Sequence, residues 1–203
     1  MSAPVRAVLF DLDGVLIDSY EAWFLVVNAA AAFYGKPEIT RERFRSIWGQ
    51  GISADLRNLY PGCTREQIEA AYVVAMGRHG AAIRVNPEAS AVLADLGRRG
   101  IRRACVTNTQ THLAREILRA TSLAGEFDDV QAVRNGVREK PAPDLLLAAL
   151  AVLGMEASDA LMVGDSRYDE EAAAAARVPF LHYDLKSGES LAAALGRATN
   201  CES

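Results

Sequence analysis

The stretch VLFDLDGVLIDS, residues 8–19, ends an apolar run in two aspartates spaced two apart and follows them at once with glycine. In a strand, residues i and i+2 point to the same side, so extended geometry through residue 13 sets Asp11 and Asp13 facing one crevice while Leu12 faces away. Gly14 then permits a sharp turn. The carboxyl end of a parallel strand is where open α/β sheets bind ligands. Two carboxylates held that close repel and are costly to desolvate, so a cation between them, or a proton on one, is required. Hard oxygen ligands of this kind suit magnesium. The D-x-D-G tetrapeptide alone also fits a solvated turn. A calcium loop does not fit, because Val15 occupies the next ligand position and Ala22 stands where a closing glutamate is needed.

Working outward, short apolar runs at Ala7–Phe10, Ala104–Val106, Leu161–Val163 and Val178–Leu181 alternate with helix-like segments, and a fifth run lies near residues 129–133. That alternation predicts an α/β fold with a parallel sheet flanked by helices. Pro87 opens a helical run that Gly100 closes, and Pro143 opens another that ends before Gly154. Residues 19–83 differ, with apolar positions at helical spacing and no strand-like alternation. Ser19 is placed to cap a helix reaching about Tyr34, and Thr64 with Gln67 forms a capping box ahead of a helix through about His79. The expected organisation is an α/β core of residues 1–18 and 84–203, interrupted by a small all-helical domain of residues 19–83. The alanine-rich 172–176 reads as helix, and the tail RATNCES, residues 197–203, as frayed.

The other strand ends decide what the aspartates are for. ACVTNT, residues 104–109, ends its strand in Thr107 and Asn108, a hydroxyl followed by a turn with free backbone amides. REKPAPD, residues 138–144, sets Lys140 before a proline, which holds the lysine backbone extended. LMVGDSRYDEEAA, residues 161–173, ends a strand in Gly164 and Asp165 and places Asp169 at a helix start, where an acidic residue also serves as a simple dipole partner. Carboxylates, a hydroxyl, open amides and a lysine converging on one sheet edge match phosphoryl transfer, in which positioning and charge neutralisation dominate.

Composition narrows the partners. With 22 basic and 26 acidic residues among 203, the net charge is −4, and no general field draws the chain to nucleic acid or an anionic membrane. Cys63, Cys105 and Cys201 show no metal spacing and no disulfide density, and read as free thiols of a reducing compartment. No secretory leader pattern and no run of 18 apolar residues is seen. The expectation is a cytoplasmic protein acting on a small soluble molecule.

In their order and spacing, DLDGVLID, VTNT, EKPAPD and GDSRYD resemble the motifs of the haloacid dehalogenase superfamily. The helical stretch 19–83 looks like the small cap of its phosphoglycolate phosphatase and β-phosphoglucomutase branch. That resemblance implies a Rossmann-like core and a magnesium-dependent phosphatase acting on a small phosphate ester. It implies that Asp11 attacks phosphorus to give an aspartyl phosphate, and that Asp13 protonates the leaving oxygen and then activates water. It further implies that the Asp11 carboxylate, the Asp13 carbonyl and Asp165 hold Mg²⁺, with Asp169 behind them or supporting Lys140. Thr107, the Asn108 amide and Lys140 would hold the phosphoryl group. Such division of labour is what the chemistry asks: accelerations of up to about 10²¹ are needed, and one general acid supplies roughly 10²–10⁴.

Asp13 argues against dehalogenases and phosphonatases, which lack the second aspartate. A phosphomutase of the β-phosphoglucomutase type is the alternative, although Trp23 and Gln50 stand where that type carries a histidine and a lysine. A receiver-like switch and a catalytically silent binding protein are further alternatives; motif order argues against the first and the filled catalytic positions against the second. In RERFRSIWGQGISADLR, residues 41–57, the loop Trp48–Gly51 resembles the specificity loop of this cap class. Trp23, Trp48 and Gln50 are the candidate substrate contacts. Arg41, Arg43, Arg45 and Arg57 fit either a second anionic group on the substrate or a solvated helix face. His79, His112 and His182 show no ligand spacing.

Overall fold

The computed structural model describes residues 4–199. A five-stranded, all-parallel sheet forms the core, built from β1 (Ala7–Phe10), β4 (Arg102–Gln110), β5 (Asp129–Val133), β6 (Ala160–Gly164) and β7 (Phe180–His182) in the order β5-β4-β1-β6-β7. β1 is central, and all four of its residues are fully buried. Since alternate strand residues face opposite sides, both faces of the sheet are covered, which is why this strand reads as a continuous apolar run. The chain moves outward from β1 through β4 to β5, then crosses back to place β6 on the other side of β1. The topological switch point therefore lies between β1 and β6, where the ligand crevice of such sheets opens.

Counted along the core alone, the strand order is 3-2-1-4-5, the dinucleotide-fold order and not the 2-1-3-4-5 order of receivers. The receiver-like alternative is thereby excluded.

The core helices are α5 (Ala89–Arg98), α6 (Thr111–Ala120), α7 (Asp144–Leu153), α8 (Arg167–Ala176) and α9 (Leu191–Thr199). Each buries one stripe: Ala89, Val92, Leu93 and Leu96 in α5, and Leu113, Ala114, Ile117 and Leu118 in α6, at helical spacing. The predicted ends hold with small shifts. α5 begins two residues after Pro87, because Asn86 accepts from the Glu88 amide at 3.0 Å and so opens the helix. α7 ends on Gly154 in the left-handed conformation, as expected of a glycine stop. β4 runs past Thr107 to Gln110 through a register irregularity, and β7 lies one to two residues later than its apolar run suggested. Arg197–Thr199, expected to fray, belong to α9. The rest of that tail, with Cys201, lies outside the described residues. Cys63 and Cys105 are free thiols, the latter buried in β4.

Between β2 (Ile17–Asp18) and β3 (Arg84–Val85) the chain forms α1 (Tyr20–Phe33), α2 (Arg41–Ser46), α3 (Ile52–Asn58) and α4 (Arg65–His79). β2 and β3 pair antiparallel, so the segment leaves and returns through a two-residue ribbon. The Thr64–Gln67 capping box is present as the sequence indicated. Ser19 occupies the N-cap of α1 but makes no capping bond, because its hydroxyl is drawn to Asp13 instead. No helix among the described residues is long and apolar enough to cross a membrane.

Candidate active site

The carboxyl ends of β1, β4 and β6 bring together Asp11, Asp13, Thr107, Asn108, Asp165 and, across the sheet edge, Lys140 and Asp169. Lys140 is the hub. The residue is 3% exposed, and its ammonium donates to Asp11 Oδ1 at 2.9 Å, to Asp169 Oδ1 at 2.5 Å and to the Val106 carbonyl at 2.8 Å. Burial works against the charge, but the two carboxylates outweigh it and hold the lysine above its usual pKa. All three ammonium donors are thus committed, and the lysine braces the cluster from beneath.

Asp169 is fixed from the other side by Ser166, whose hydroxyl and amide both donate to its Oδ2 in a capping box at the start of α8. Asp169 is fully buried. Its side chain therefore positions Lys140 and serves the helix end at once. Oxygens of Asp11, Asp165 and Asp169 lie within 4.8 Å of one another. One ammonium does not balance three carboxylates. Burial first, then the neighbouring acids, push Asp11 well above the ordinary carboxylate range and Asp165 up to about 7.

Asp165 Oδ1 is buried without a hydrogen-bond partner, which is costly unless a cation meets it. A Cβ on Gly14 would lie 1.9 Å from Asp165 Oδ2, so only glycine lets the turn after Asp13 approach this carboxylate. An acidic cluster with one orphaned oxygen and a glycine cleft beside it fits a divalent cation, which Asp11 and Asp165 would hold.

Asp13 sits in a different setting. Its Oδ1 accepts from Ser19 and from Trp23 Nε1 at 3.0 Å, and its Oδ2 from the Thr109 hydroxyl at 3.0 Å. Burial raises its pKa, and these three neutral donors pull it back. Asp11, by contrast, accepts from the Leu12 amide at 2.8 Å and from Lys140, both on Oδ1. Two carboxylates two residues apart thus stand in different environments, a separation that suits two chemical roles.

Thr107 is 1% exposed and accepts from the Thr109 amide. The Asn108 side chain acts as a bracket: its amide nitrogen donates to the carbonyls of Lys140 at 2.9 Å and Gly49 at 3.0 Å, and its oxygen accepts from Lys140 N at 2.8 Å. It ties β4, the lysine segment and the loop 48–51 together.

Asp11, Asp13, Trp23, Trp48, Gln50 and Thr107–Gln110 line one cavity, closed on the far side by α1–α4. Trp48 Nε1 donates to Asp165 Oδ2 at 2.8 Å, and Gln50 Nε2 donates to Asp55 Oδ1. All three aromatic and amide candidates therefore face the cavity. The four arginines of residues 41–57 do not. Arg41 is paired with Glu21 on the surface, and Arg43, Arg45 and Arg57 are exposed, Arg45 bordering a neighbouring cleft beside Trp48 and Asp165.

Thr109, Ser166 and Asp55 were missed by sequence reasoning. Thr109 follows the strand motif by one residue and could have been read as a same-side partner of Thr107. Asp55, in the first turn of α3, is indistinguishable in sequence from a solvated helix-start acid.

Residues 5–177 match the family model of haloacid dehalogenase-like hydrolases. The chain belongs to that family. Among curated proteins it is 32% identical over 198 residues to phosphoglycolate phosphatase 1 of Pseudomonas aeruginosa, covering 92% of this chain and 73% of the relative. It is 34% identical over 189 residues to the plasmid-borne phosphoglycolate phosphatase of Cupriavidus necator, covering 88% and 80%. Among solved structures, CbbY of Rhodobacter sphaeroides in complex with phosphate superposes with a TM-score of 0.73 at 24% identity, covering 93% of this chain and 91% of that one, a likeness of fold. This haloacid dehalogenase-like chain is accordingly an enzyme of the hydrolase class, and its core matches the architecture expected from the four motifs.

Proposed function

We propose that this hydrolase is a magnesium-dependent phosphatase acting on a small soluble phosphate ester through an aspartyl phosphate, with residues 19–83 forming a cap over a core of residues 1–18 and 84–203. The observation that carries the reading is the Lys140 ammonium bound to both Asp11 and Asp169 beside the orphaned oxygen of Asp165. The naming of relatives as phosphoglycolate phosphatases supports the reaction class.

Lys140 and Leu12 N hold Asp11 Oδ1, which orients Oδ2 as the attacking oxygen. Asp11, the Asp13 carbonyl and Asp165 would hold Mg²⁺, which would supply charge neutralisation on the phosphoryl oxygens. Thr107 and the Asn108 amide take further phosphoryl oxygens. Asp13, its pKa raised by burial, donates a proton to the leaving oxygen and in the second half takes one from water. The cap wall, closed by Trp23 and Trp48, excludes bulk water during the first half.

Phosphate release from a panel of esters tests the reading, with and without Mg²⁺ and with Asp11→Asn beside wild type. Metal-dependent release that drops at least about 10³-fold in the variant is expected. Metal-independent release, or an active Asp11→Asn, refutes it. Isomerisation of a sugar phosphate on adding a bisphosphate, without net phosphate release, would instead establish the mutase.

A further inference from the structure

The cavity over Asp11 has two chemically distinct halves. The core half carries the catalytic carboxylates, Thr107 and the strand-end amides. The cap half pairs an apolar part, Val27, Phe44, Ile47 and Ile52, with one charged group, the carboxylate of Asp55, beside the Gln50 amide and the Tyr72 hydroxyl. Asp55 is 8% exposed, accepts from Tyr72 Oη at 2.8 Å and from Gln50 Nε2, and lines the same cavity as the nucleophile. Among the described residues no lysine, arginine or histidine lines this cavity. Arg65 of α4 is engaged by Glu139 at 2.9 Å and by Ser53.

We infer that the cap half of the site takes a leaving group bearing a hydrogen-bond donor, a hydroxyl or an ammonium, and rejects one bearing a carboxylate. This deepens, and rests on, the phosphatase reading.

Hydrogen bonding argues first. The single proton of Tyr72 goes to Asp55, a charged acceptor at 2.8 Å, in preference to the Tyr60 hydroxyl oxygen at 3.2 Å, and Tyr60 spends its own proton on the Val27 carbonyl at 2.8 Å. Both donors on Asp55 come from the protein wall, so Asp55 meets a ligand with carboxylate lone pairs alone, while Gln50 beside it offers its carbonyl oxygen and the second N–H of its amide. A ligand hydroxyl or ammonium satisfies the Asp55 lone pairs; a ligand carboxylate offers them no donor and sets a second negative charge beside them.

Charge argues in the same direction. Two like charges at a separation of about 6 Å, at an effective dielectric of about 20, repel enough to disfavour binding about 10²-fold. Burial lifts Asp55 to about 6, below neutral pH, so the group is ionised under ordinary assay conditions. The relatives' named substrate carries a carboxylate, so the inference separates this chain from them in specificity while keeping the shared chemistry.

The free space of the cavity is about 70 Å³, so the decisive comparison is kept to two-carbon esters of one shape. 2-Phosphoglycolate, 2-hydroxyethyl phosphate and phosphoethanolamine differ only in the far group: carboxylate, hydroxyl or ammonium. With Mg²⁺ at pH 7.5, kcat/KM is measured for each, and each is also tested as a competitor of p-nitrophenyl phosphate hydrolysis, so that poor substrates still report their binding. The hydroxyl and ammonium esters are expected to exceed phosphoglycolate by about 10²-fold, mostly in KM. Asp55→Asn should narrow that ratio to within about tenfold by improving phosphoglycolate, whereas Tyr72→Phe, which leaves the charge in place, should keep it. Phosphoglycolate equal to or better than the other two in wild type overturns the inference whether or not either variant folds, and leaves the phosphatase reading intact. No phosphate release from p-nitrophenyl phosphate or any ester refutes the phosphatase reading and the inference with it.

Discussion

Asp55 makes a quantitative claim on stability that is independent of catalysis. Its carboxyl is buried against Tyr72 of α4 and Gln50 of the loop before α3, with Glu139 of the core as the nearby like charge. Burial raises its pKa from 3.8 to about 6, partly offset by the Tyr72 and Gln50 hydrogen bonds. The folded protein therefore holds this proton more tightly than the unfolded chain, and between pH 4 and about 6 it binds more protons than the unfolded state. Stability from this group is fully present below pH 4, falls as pH rises through that window, and is gone above about 6. A difference of about two pKa units corresponds to roughly 3 kcal/mol. Asp55→Asn removes the titration while keeping the shape. Urea unfolding of chelator-treated protein, followed by the fluorescence of Trp23 and Trp48, gives ΔG for both proteins from pH 4.5 to 8. Because every other carboxylate is common to the pair, the difference isolates residue 55. The variant should gain on wild type by about 2–3 kcal/mol between the acid and neutral ends, whatever constant offset its amide contacts impose. A difference flat to within about 0.5 kcal/mol, or one moving the other way, refutes the burial argument.

Two further outcomes follow from the core. Lys140→Met strands the buried carboxylates of Asp11 and Asp169 and should cost about 3–5 kcal/mol in urea unfolding at pH 7.5, together with activity; unchanged stability would mean that the ammonium is not the brace. Gly14→Ala forces a side chain at φ +84° into a space 1.9 Å from Asp165 Oδ2. It should cost about 1–2 kcal/mol in backbone strain and weaken Mg²⁺ binding by titration calorimetry about tenfold or more; unaltered affinity would detach this carboxylate from the metal.

The parts of the site legible in the sequence are those set by strand periodicity and strand ends. Asp11 and Asp13 line one cavity as the strand period suggested, although β1 already ends at Phe10 and the chain bends at Leu12, and Asp165 joins them because its own strand lies beside β1. Lys140 was legible only through its place in the motif series, since nothing local distinguishes it from a surface lysine. Long-range partners were not legible. The Ser19 hydroxyl could equally cap α1 or reach Asp13, and the choice is made by the turn at Gly14 that brings the aspartate close. Asp55 depended on which way a seven-residue helix faces, something no short periodicity settles. Helix α9 went unseen because its alanines carry little apolar contrast, and the ribbon of β2 and β3 because two-residue strands leave no pattern.

That ribbon has a consequence for how such a protein diversifies. Ile17 lies opposite Val85 and Asp18 opposite Arg84, so the two ends of the helical segment are neighbours across one antiparallel pair, about 5 Å apart. From the standpoint of the sheet, the whole of α1–α4 is a single hairpin loop whose length is nearly irrelevant to closure, since doubling a loop costs only about 0.6 kcal/mol. Helices can be lengthened, exchanged or re-aimed beyond this neck without altering the register of any core strand. The helical wall of the pocket is thus free to drift, while the wall that carries Asp11, Thr107 and Asp165 is held by the sheet.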